Sequence, residues 1–261
     1  MSRADAVDAG GVGPGAADAA IRGASVGAPA SGTLPEPQVR AMFDRIARTY
    51  DRMNSVMTAG MHHAWRARAA DLARVGPGDP VLDVATGTGD LAVELSRRVG
   101  PEGRVVGMDF SESMLELARA KAPQLTFERG NAQDLAYADD EFAAATVGFG
   151  ARNFGDLSAG LAEMARVVRP GGHVVVLEIT TPERPPLSWF FRMWFDRVVP
   201  GLGKLAGDSD AYAYLPSSVR RFPGPHGLGA ELAAVGLLDV GWVLTGGGII
   251  ALHHGAVAPG S

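Results

Sequence analysis

At 261 residues, 46% of them apolar, the chain is long enough for one sizeable α/β domain or two small ones. Its formal net charge of −5 argues against a nucleic-acid partner held through phosphate contacts. With no cysteine it can form neither disulfides nor zinc sites built on sulfur, which fits a cytoplasmic location.

Residues Ala6 to Pro37 are rich in Ala, Gly, Ser and Pro and nearly free of large apolar groups. Such a stretch cannot bury enough surface to offset its ordering entropy, so residues 1–37 are expected to be a disordered tail. No apolar run reaches the length of a membrane span, and Met1 to Asp8 do not resemble a secretory signal. One domain is expected over 38–256, with 257–261 as a second tail. Val39, Met42, Phe43, Ile46 and Tyr50 fall at helical spacing. A polar, Met-rich stretch follows from Asp51 to Gly60. A second helix is expected from about His62 to Arg74, stopped by Gly76-Pro77-Gly78. These segments form a helical cap over 38–75.

Strand and helix then alternate. Strands are expected at Val81–Ala85, Arg104–Asp109, Leu125–Arg129, Phe142–Phe149 and His173–Ile179. Helices are expected at Asp90–Val99, Ser111–Lys121 with Ser111 as N-cap, and Leu157–Val168, which Arg169-Pro170-Gly171-Gly172 ends. This order predicts a mostly parallel sheet with helices on both faces. The C-terminal part departs from it. An insertion over 184–226 begins with an aromatic helix at Leu187–Val199, a lid candidate. A helix at Leu228–Val235 follows, and then two strands, Leu238–Leu244 and Ile249–His253, joined by Gly246-Gly247-Gly248 as an antiparallel hairpin. A parallel sheet closed by such a hairpin fits a Rossmann-like, seven-stranded class I methyltransferase better than a dinucleotide-binding domain.

The chemistry concentrates after the first strand, in Val81-Leu82-Asp83-Val84-Ala85-Thr86-Gly87-Thr88-Gly89-Asp90. Gly87 and Gly89 let the backbone turn with positive φ and let a ligand approach without a Cβ clash. Asp109 ends the second strand, where a carboxylate can accept hydrogen bonds from both hydroxyls of a ribose. Asn131-Ala132 follows the third strand, where an adenine ring would sit. The same glycines with Ala92 also satisfy the looser pattern of NAD enzymes. Asp83 opposes that reading, because it places a carboxylate in the first strand beside the loop. There it suits the charged amino-acid end of S-adenosylmethionine, or braces the loop.

Four further stretches carry a resemblance. They are Asp44 to Asn54 (Asp-Arg-Ile-Ala-Arg-Thr-Tyr-Asp-Arg-Met-Asn), Gly60 to Arg66 (Gly-Met-His-His-Ala-Trp-Arg), Phe149 to Asp156 (Phe-Gly-Ala-Arg-Asn-Phe-Gly-Asp), and Tyr212 to Pro223. Over residues 38 to 254 the sequence resembles the ubiquinone/menaquinone-biosynthesis C-methyltransferases. The resemblance implies S-adenosylmethionine as methyl donor and a polyprenylated, reduced quinone ring as acceptor. Thr88, Asp109, Asn131 and Ala132 would be cofactor contacts. Gly148 stands where some members carry a serine, so a contact there would use backbone, which leans toward the menaquinone branch, a demethylmenaquinol converted to menaquinol. A benzoquinol acceptor and a non-catalytic, cofactor-binding scaffold for quinone enzymes are the alternatives.

Methylating a ring carbon needs a phenolate that pushes charge onto that carbon, together with alignment and charge stabilisation. Arg152 and Asn153, in the loop after the fourth strand, are candidates to hold the phenolate, and Asp90 to relay the proton through water. The alternative is that Arg152 pairs with Asp156 and Asn153 caps the next helix. Tyr50, Asp51, His62 and His63 lie on the cap, with Tyr50 and His63 as acceptor contacts. Tyr212, Tyr214 and Arg221 are further acceptor contacts. His62 and His63 lack a third ligand at metal spacing, so no metal is expected. Trp189, Phe190, Phe191, Met193, Trp194 and Phe195, interleaved with Arg184, Arg192 and Arg197, suit either a peripheral membrane contact at the inner face or packing in a core or against a second subunit in a homodimer.

Overall fold

The computed structural model describes residues 35–58, 60–198, 201 and 209–260, without the side chains of 48, 196 and 209–213. The proposed tail over 1–37 therefore lies almost wholly outside the described residues; the first helix begins at Glu36, inside its last positions.

That helix, α1 (Glu36–Thr58), and α2 (Met61–Leu72) precede the sheet. The stretch from Asp51 onward, expected to break from the helix, continues it to Thr58. The reason is that Met53 and Met57 extend the 3–4 spacing of Val39, Met42, Phe43, Ile46 and Tyr50, and that stripe packs with Tyr214 and Trp194. The polar residues of the stretch simply occupy the other faces.

Seven strands follow: β1 (Pro80–Val84), β2 (Arg104–Asp109), β3 (Thr126–Arg129), β4 (Phe142–Gly148), β5 (Val168–Ile179), β6 (Leu238–Thr245) and β7 (Ile250–Ala256). Their order is β3-β2-β1-β4-β5-β7-β6, with β7 antiparallel to both neighbours and the pairs among β1 to β5 parallel. The Arg169-Pro170-Gly171-Gly172 segment, expected to end the preceding helix ahead of a strand starting at His173, lies within β5, whose pairing with β4 carries a bulge between Phe142 and Ala144. Helices α3 (Asp90–Val99), α4 (Glu112–Lys121) and α5 (Leu157–Arg166) make the crossovers. Ser111 caps α4 by accepting from Met114 N at 3.3 Å, and Asp156 caps α5 by accepting from Ala159 N at 3.0 Å. In the C-terminal part, α6 (Leu187–Met193) runs into a π-helical turn (Trp194–Val198). Then come α7 (Ser209–Arg221), which sequence periodicity does not announce, and α8 (Pro225–Ala234).

Period-2 alternation divides the core between the two faces. Val81, Val105, Ala144 and Leu177 point to one side, with Leu95, Leu115 and Ala69. Leu82, Val106, Ala145 and Val176 point to the other, with Leu161, Met164 and Leu232. Strand order reverses between β1 and β4, and in open α/β sheets the crevice at that reversal, beyond the strand C-termini, is the ligand site.

Candidate active site

The loop after β1 sits at this reversal. Gly87 has φ 56° and Gly89 φ 82°, the latter directly before α3. A Cβ at Gly87 would meet nothing within 4 Å, so space stays open above the loop; one at Gly89 would lie 3.0 Å from the Phe127 ring. Two carboxylates brace the loop from beneath. Asp83 accepts from Thr86 Oγ1 at 2.6 Å and Thr146 Oγ1 at 2.8 Å. Asp109 accepts from Gly87 N at 2.8 Å and Ser111 N at 2.9 Å. Burial pushes both up to about 6, against the pull of their hydrogen bonds.

A cavity of about 80 Å³ lies over this loop. Its lining includes Asp83, Gly87, Thr88, Asp90, Asp109, Asn131, Ala132, Gly148 and Asn153, nine of the positions singled out in the sequence. Gly89 is absent from the wall and acts through its turn. The Asn131 carboxamide accepts from Gln133 N at 3.0 Å, an Asx turn that presents Ala132. The chemistry of this wall fits S-adenosylmethionine. Asp109 keeps acceptor capacity on each oxygen for ribose hydroxyls, the loop offers backbone without Cβ obstruction, and Glu36, Asp83, Asp90 and Asp109 supply negative charge for a cationic ligand.

A second, larger cavity of about 380 Å³ is enclosed by α1, α2, α6, the π turn, α7 and the ends of β5 and β7. Its wall is mostly Met, Phe, Trp, Ile and Leu, with Tyr50, Asn54, Thr58, His62, Arg66, Arg152 and Tyr214 as polar exceptions. Phe43, Tyr50, Arg66 and Phe149 line both cavities, so the two share a partition.

Helix α1 is fastened across the loop cavity. Asp44 accepts from Ser111 Oγ at 2.6 Å, and Asp51 accepts from Thr88 Oγ1 at 2.6 Å and from Lys121 Nζ at 2.6 Å. Lys121 also donates to Asp90 at 2.7 Å. Arg66 stands 3.6 Å from Asp90 on the other side. Burial raises the Asp90 pKa, but Arg66 and Lys121 outweigh it and hold the carboxylate below its ordinary value. A proton relay through Asp90 would have to work against this pairing, since a doubly paired carboxylate with a depressed pKa is a poor base.

Arg152 is buried, and its partner is Glu178 at 2.9 Å rather than Asp156. Its Nε is buried with no partner. Asn153 accepts from the Tyr214 hydroxyl at 3.1 Å and caps nothing; Asp156 is the cap. Of the histidine pair, His63 is exposed and lines neither cavity, whereas His62 is buried in the wall of the larger one. Arg66 can only donate to His62 Nδ1, so Nε2 carries the hydrogen and faces Ser55 Oγ at 3.1 Å. Burial, with the Arg66 charge, lowers His62 to about 4. Of the two histidines it is thus His62, not the expected His63, that the fold sets in the wall of that cavity. Arg221 lines neither cavity; its guanidinium lies over the Tyr214 ring, 5.7 Å from the centroid. The Tyr212 side chain lies outside the described residues. Among the described residues no group of three or more His, Asp or Glu is placed to hold a metal ion. Glu178 and Lys121 escaped sequence reasoning. Glu178 had a signal, a lone charge closing the apolar run Val174–Leu177; Lys121 looks like any cation in a last helical turn.

Comparison with known proteins adds an independent line. The sequence profile described as the ubiE/COQ5 methyltransferase family matches residues 32–257. A demethylmenaquinone methyltransferase of Bacteroides fragilis is 40% identical over 210 residues, covering 78% of this chain and 85% of that protein. The ubiquinone/menaquinone biosynthesis C-methyltransferase UbiE of Legionella pneumophila (strain Paris) is 39% identical over 225 residues, covering 84% and 90%. A solved S-adenosylmethionine-dependent methyltransferase of Thermotoga maritima superposes with TM-score 0.60 at 18% identity, covering 83% of this chain and 98% of that one. The [4+2]-cyclase SpnF superposes at 0.63 and 18%, covering 87% and 98%. At such identities the structures speak to fold alone, and SpnF, a cyclase by name, illustrates that the fold does not dictate the reaction.

Proposed function

This chain belongs to the ubiE/COQ5 methyltransferase family, and we propose that it methylates a ring carbon of a polyprenylated demethylmenaquinol with S-adenosylmethionine as donor. The observation that carries the reading is the pair of cavities sharing the Phe43, Tyr50, Arg66 and Phe149 partition, one acidic and built on a glycine loop, the other apolar and holding Arg152.

The donor, bound over the loop, supplies an electrophilic methyl group. Asp109 would accept from its ribose hydroxyls, Asn131 and Ala132 would flank its base, and the amides around Gly87 and Thr88 with the buried Asp83 would receive its charged end. On the acceptor side, a quinol hydroxyl must lose its proton before its ring carbon becomes nucleophilic. Arg152 offers that oxygen the guanidinium edge of Nε and Nη2, which no bond through Nη1 occupies, and stabilises the phenolate more strongly than in water because the surrounding wall is apolar. Asn153 and Tyr214 hold the loop that carries Arg152. His62, fixed as a neutral donor to Ser55, acts as wall rather than base. Tyr50, on the partition, lies within reach of both ligands.

The acceptor's prenyl chain belongs in lipid, and no helix among the described residues is long and apolar enough to cross a membrane. The mouth of the apolar cavity meets the bilayer instead. Met61 and Phe190 line that cavity and are exposed, Trp189 and Met193 are exposed on the same helix as Phe190, and Arg184, Arg192 and Arg197 are exposed nearby in sequence. Incubation with radiolabelled S-adenosylmethionine and short-chain quinols tests the activity. Label transferred to demethylmenaquinol supports the proposal. Label transferred only to a benzoquinol moves the substrate to the other branch. None with either leaves a non-catalytic scaffold.

A further inference from the structure

Glu178 is the penultimate residue of β5 and is 1% exposed. Its Oε1 accepts from Arg152 N at 3.3 Å and Arg152 Nη1 at 3.1 Å; its Oε2 accepts from Arg152 Nη1 at 2.9 Å and Ile179 N at 3.0 Å. Nη1 also donates to the Phe149 carbonyl oxygen. That nitrogen has two hydrogens, and both are committed. The guanidinium therefore cannot turn about its own chain without breaking several bonds at once. What it leaves free among the described residues is the guanidinium edge of Nε and Nη2: every side-chain bond runs through Nη1, Nε is buried without a partner, and the side chain lines the apolar cavity.

We propose that Glu178 is a positioning residue for methyl transfer: it locks the guanidinium plane of Arg152 so that the free N–H edge faces the acceptor's ring oxygen. It also balances a cation that the apolar wall could not otherwise hold, since an unpaired buried charge is strongly unfavourable. The inference rests on the reading of Arg152 as donor to that oxygen. The requirement is for a carboxylate. Each of its oxygens faces a fixed backbone N–H, Arg152 N on one side and Ile179 N on the other. A glutamine amide would turn its NH₂ against one of them and release the lock.

The test measures kcat, acceptor KM, cofactor Kd and Tm on the full chain with S-adenosylmethionine and a short-chain demethylmenaquinol. Three variants are compared: Glu178→Gln, Arg152→Met and the double. Glu178→Gln should lower kcat about tenfold or more, with cofactor Kd within about twofold of wild type. Arg152→Met should lower kcat at least as much, and adding Glu178→Gln should then cost no further activity, because the glutamate acts only through the arginine. Stability should move the opposite way. Arg152→Met strands a buried carboxylate and lowers Tm, and Glu178→Gln in that background should raise it again. The double variant thus separates chemistry from folding. Wild-type kcat in Glu178→Gln, or a multiplicative loss in the double, overturns the positioning role while a slow Arg152→Met leaves the arginine's role standing. Wild-type kcat in a folded double variant overturns the arginine reading and this inference with it.

Discussion

The aromatic helix α6 and its π turn divide into two halves with opposite forecasts. Phe191 and Phe195 are 5% and 9% exposed, stack with centroids 4.2 Å apart and pack on Val219. Trp189 and Phe190 are 72% and 50% exposed. Truncating a core Phe costs about 3–5 kcal/mol, so Phe191→Ala should lower Tm by roughly 6–20 °C in a domain of this size. Trp189→Ala with Phe190→Ala removes side chains largely in water already and should shift Tm by only about 2 °C. Lipid reverses the ranking. Aromatic side chains bury about 150–250 Å² each, so the exposed fractions leave roughly 200–300 Å² for insertion. At about 25 cal/mol per Å² that is at most about 5–7 kcal/mol, and a third of it still exceeds tenfold in affinity. Wild-type protein should co-sediment with anionic liposomes, the double variant at least tenfold more weakly, and high salt should weaken both through screening of the exposed arginines. A wild type that stays in the supernatant refutes the reasoning. So does a double variant that sediments unchanged, or one whose Tm falls as far as that of Phe191→Ala.

Asp109→Ala should weaken S-adenosylmethionine at least tenfold by calorimetry, because hydrogen bonds to a charged acceptor are worth about 1.5–3 kcal/mol each; NADH binding by wild type would instead revive the dinucleotide reading. In the wild type, cofactor affinity should fall as pH drops through about 6, where Asp109 and Asp83 take up protons, and Asp109→Asn should weaken that pH dependence to the share Asp83 contributes. Asp83, raised from 3.8 to about 6, contributes stability that is full below pH 3.8 and lost as pH rises through about 6. Asp83→Asn should therefore raise Tm at pH 8, by up to about 3 kcal/mol of stability, and leave it nearly unchanged at pH 4; a lower Tm at pH 8 would show that the two threonine hydroxyls need the charge. Gly89→Val places a side chain at φ 82° and 3.0 Å from the Phe127 ring, so stability should fall by about 1–3 kcal/mol in thermal denaturation and cofactor affinity with it.

The sheet was legible because its strands are short apolar runs set between turn residues, and a buried parallel strand has little else it can be. The loop was legible because glycine at Gly87 and Gly89 answers a backbone requirement visible in a single sequence. Helix α1 was read only as far as Tyr50, because the polar residues after it masked a stripe that Met53 and Met57 continue. Helix α7 was missed because Pro216 sits inside it, a local signal against helix that tertiary packing overrides. The site itself was legible as a set of residues and not as a set of pairings. Arg152 and Asp156 are neighbours in sequence, yet Glu178, one parallel strand away, takes the bond. Asp90 resembles a base in isolation and becomes one end of a clasp once Lys121 and Arg66 arrive from α4 and α2. Ion pairing is a long-range property, so the same residue types carry either meaning until the fold brings their partners.

The charges of the two walls make the stronger argument for what the partition separates. The loop cavity has Glu36, Asp83, Asp90 and Asp109 against one cation, Arg66. The apolar cavity has Arg66 and Arg152 and no carboxylate in its wall. A methyl donor of this class carries a sulfonium, and an activated quinol carries a phenolate, so each wall has the sign opposite to that of its ligand. Transfer of the methyl cation cancels both charges, and hydrogen-bond donors that stay fixed while charge disappears hold the phenolate best before the reaction. For the wall to help the transition state, its cation must not bind the phenolate too tightly in the ground state. Pairing Arg152 with a buried glutamate is a physical means to that end: it leaves a directed N–H and removes most of the net charge behind it. Arg66, on the partition, is likewise balanced by Asp90. Both cations thus reach the cavity with a carboxylate behind them that tempers their charge, and what distinguishes them is the N–H that only Arg152 retains in a buried position without a partner.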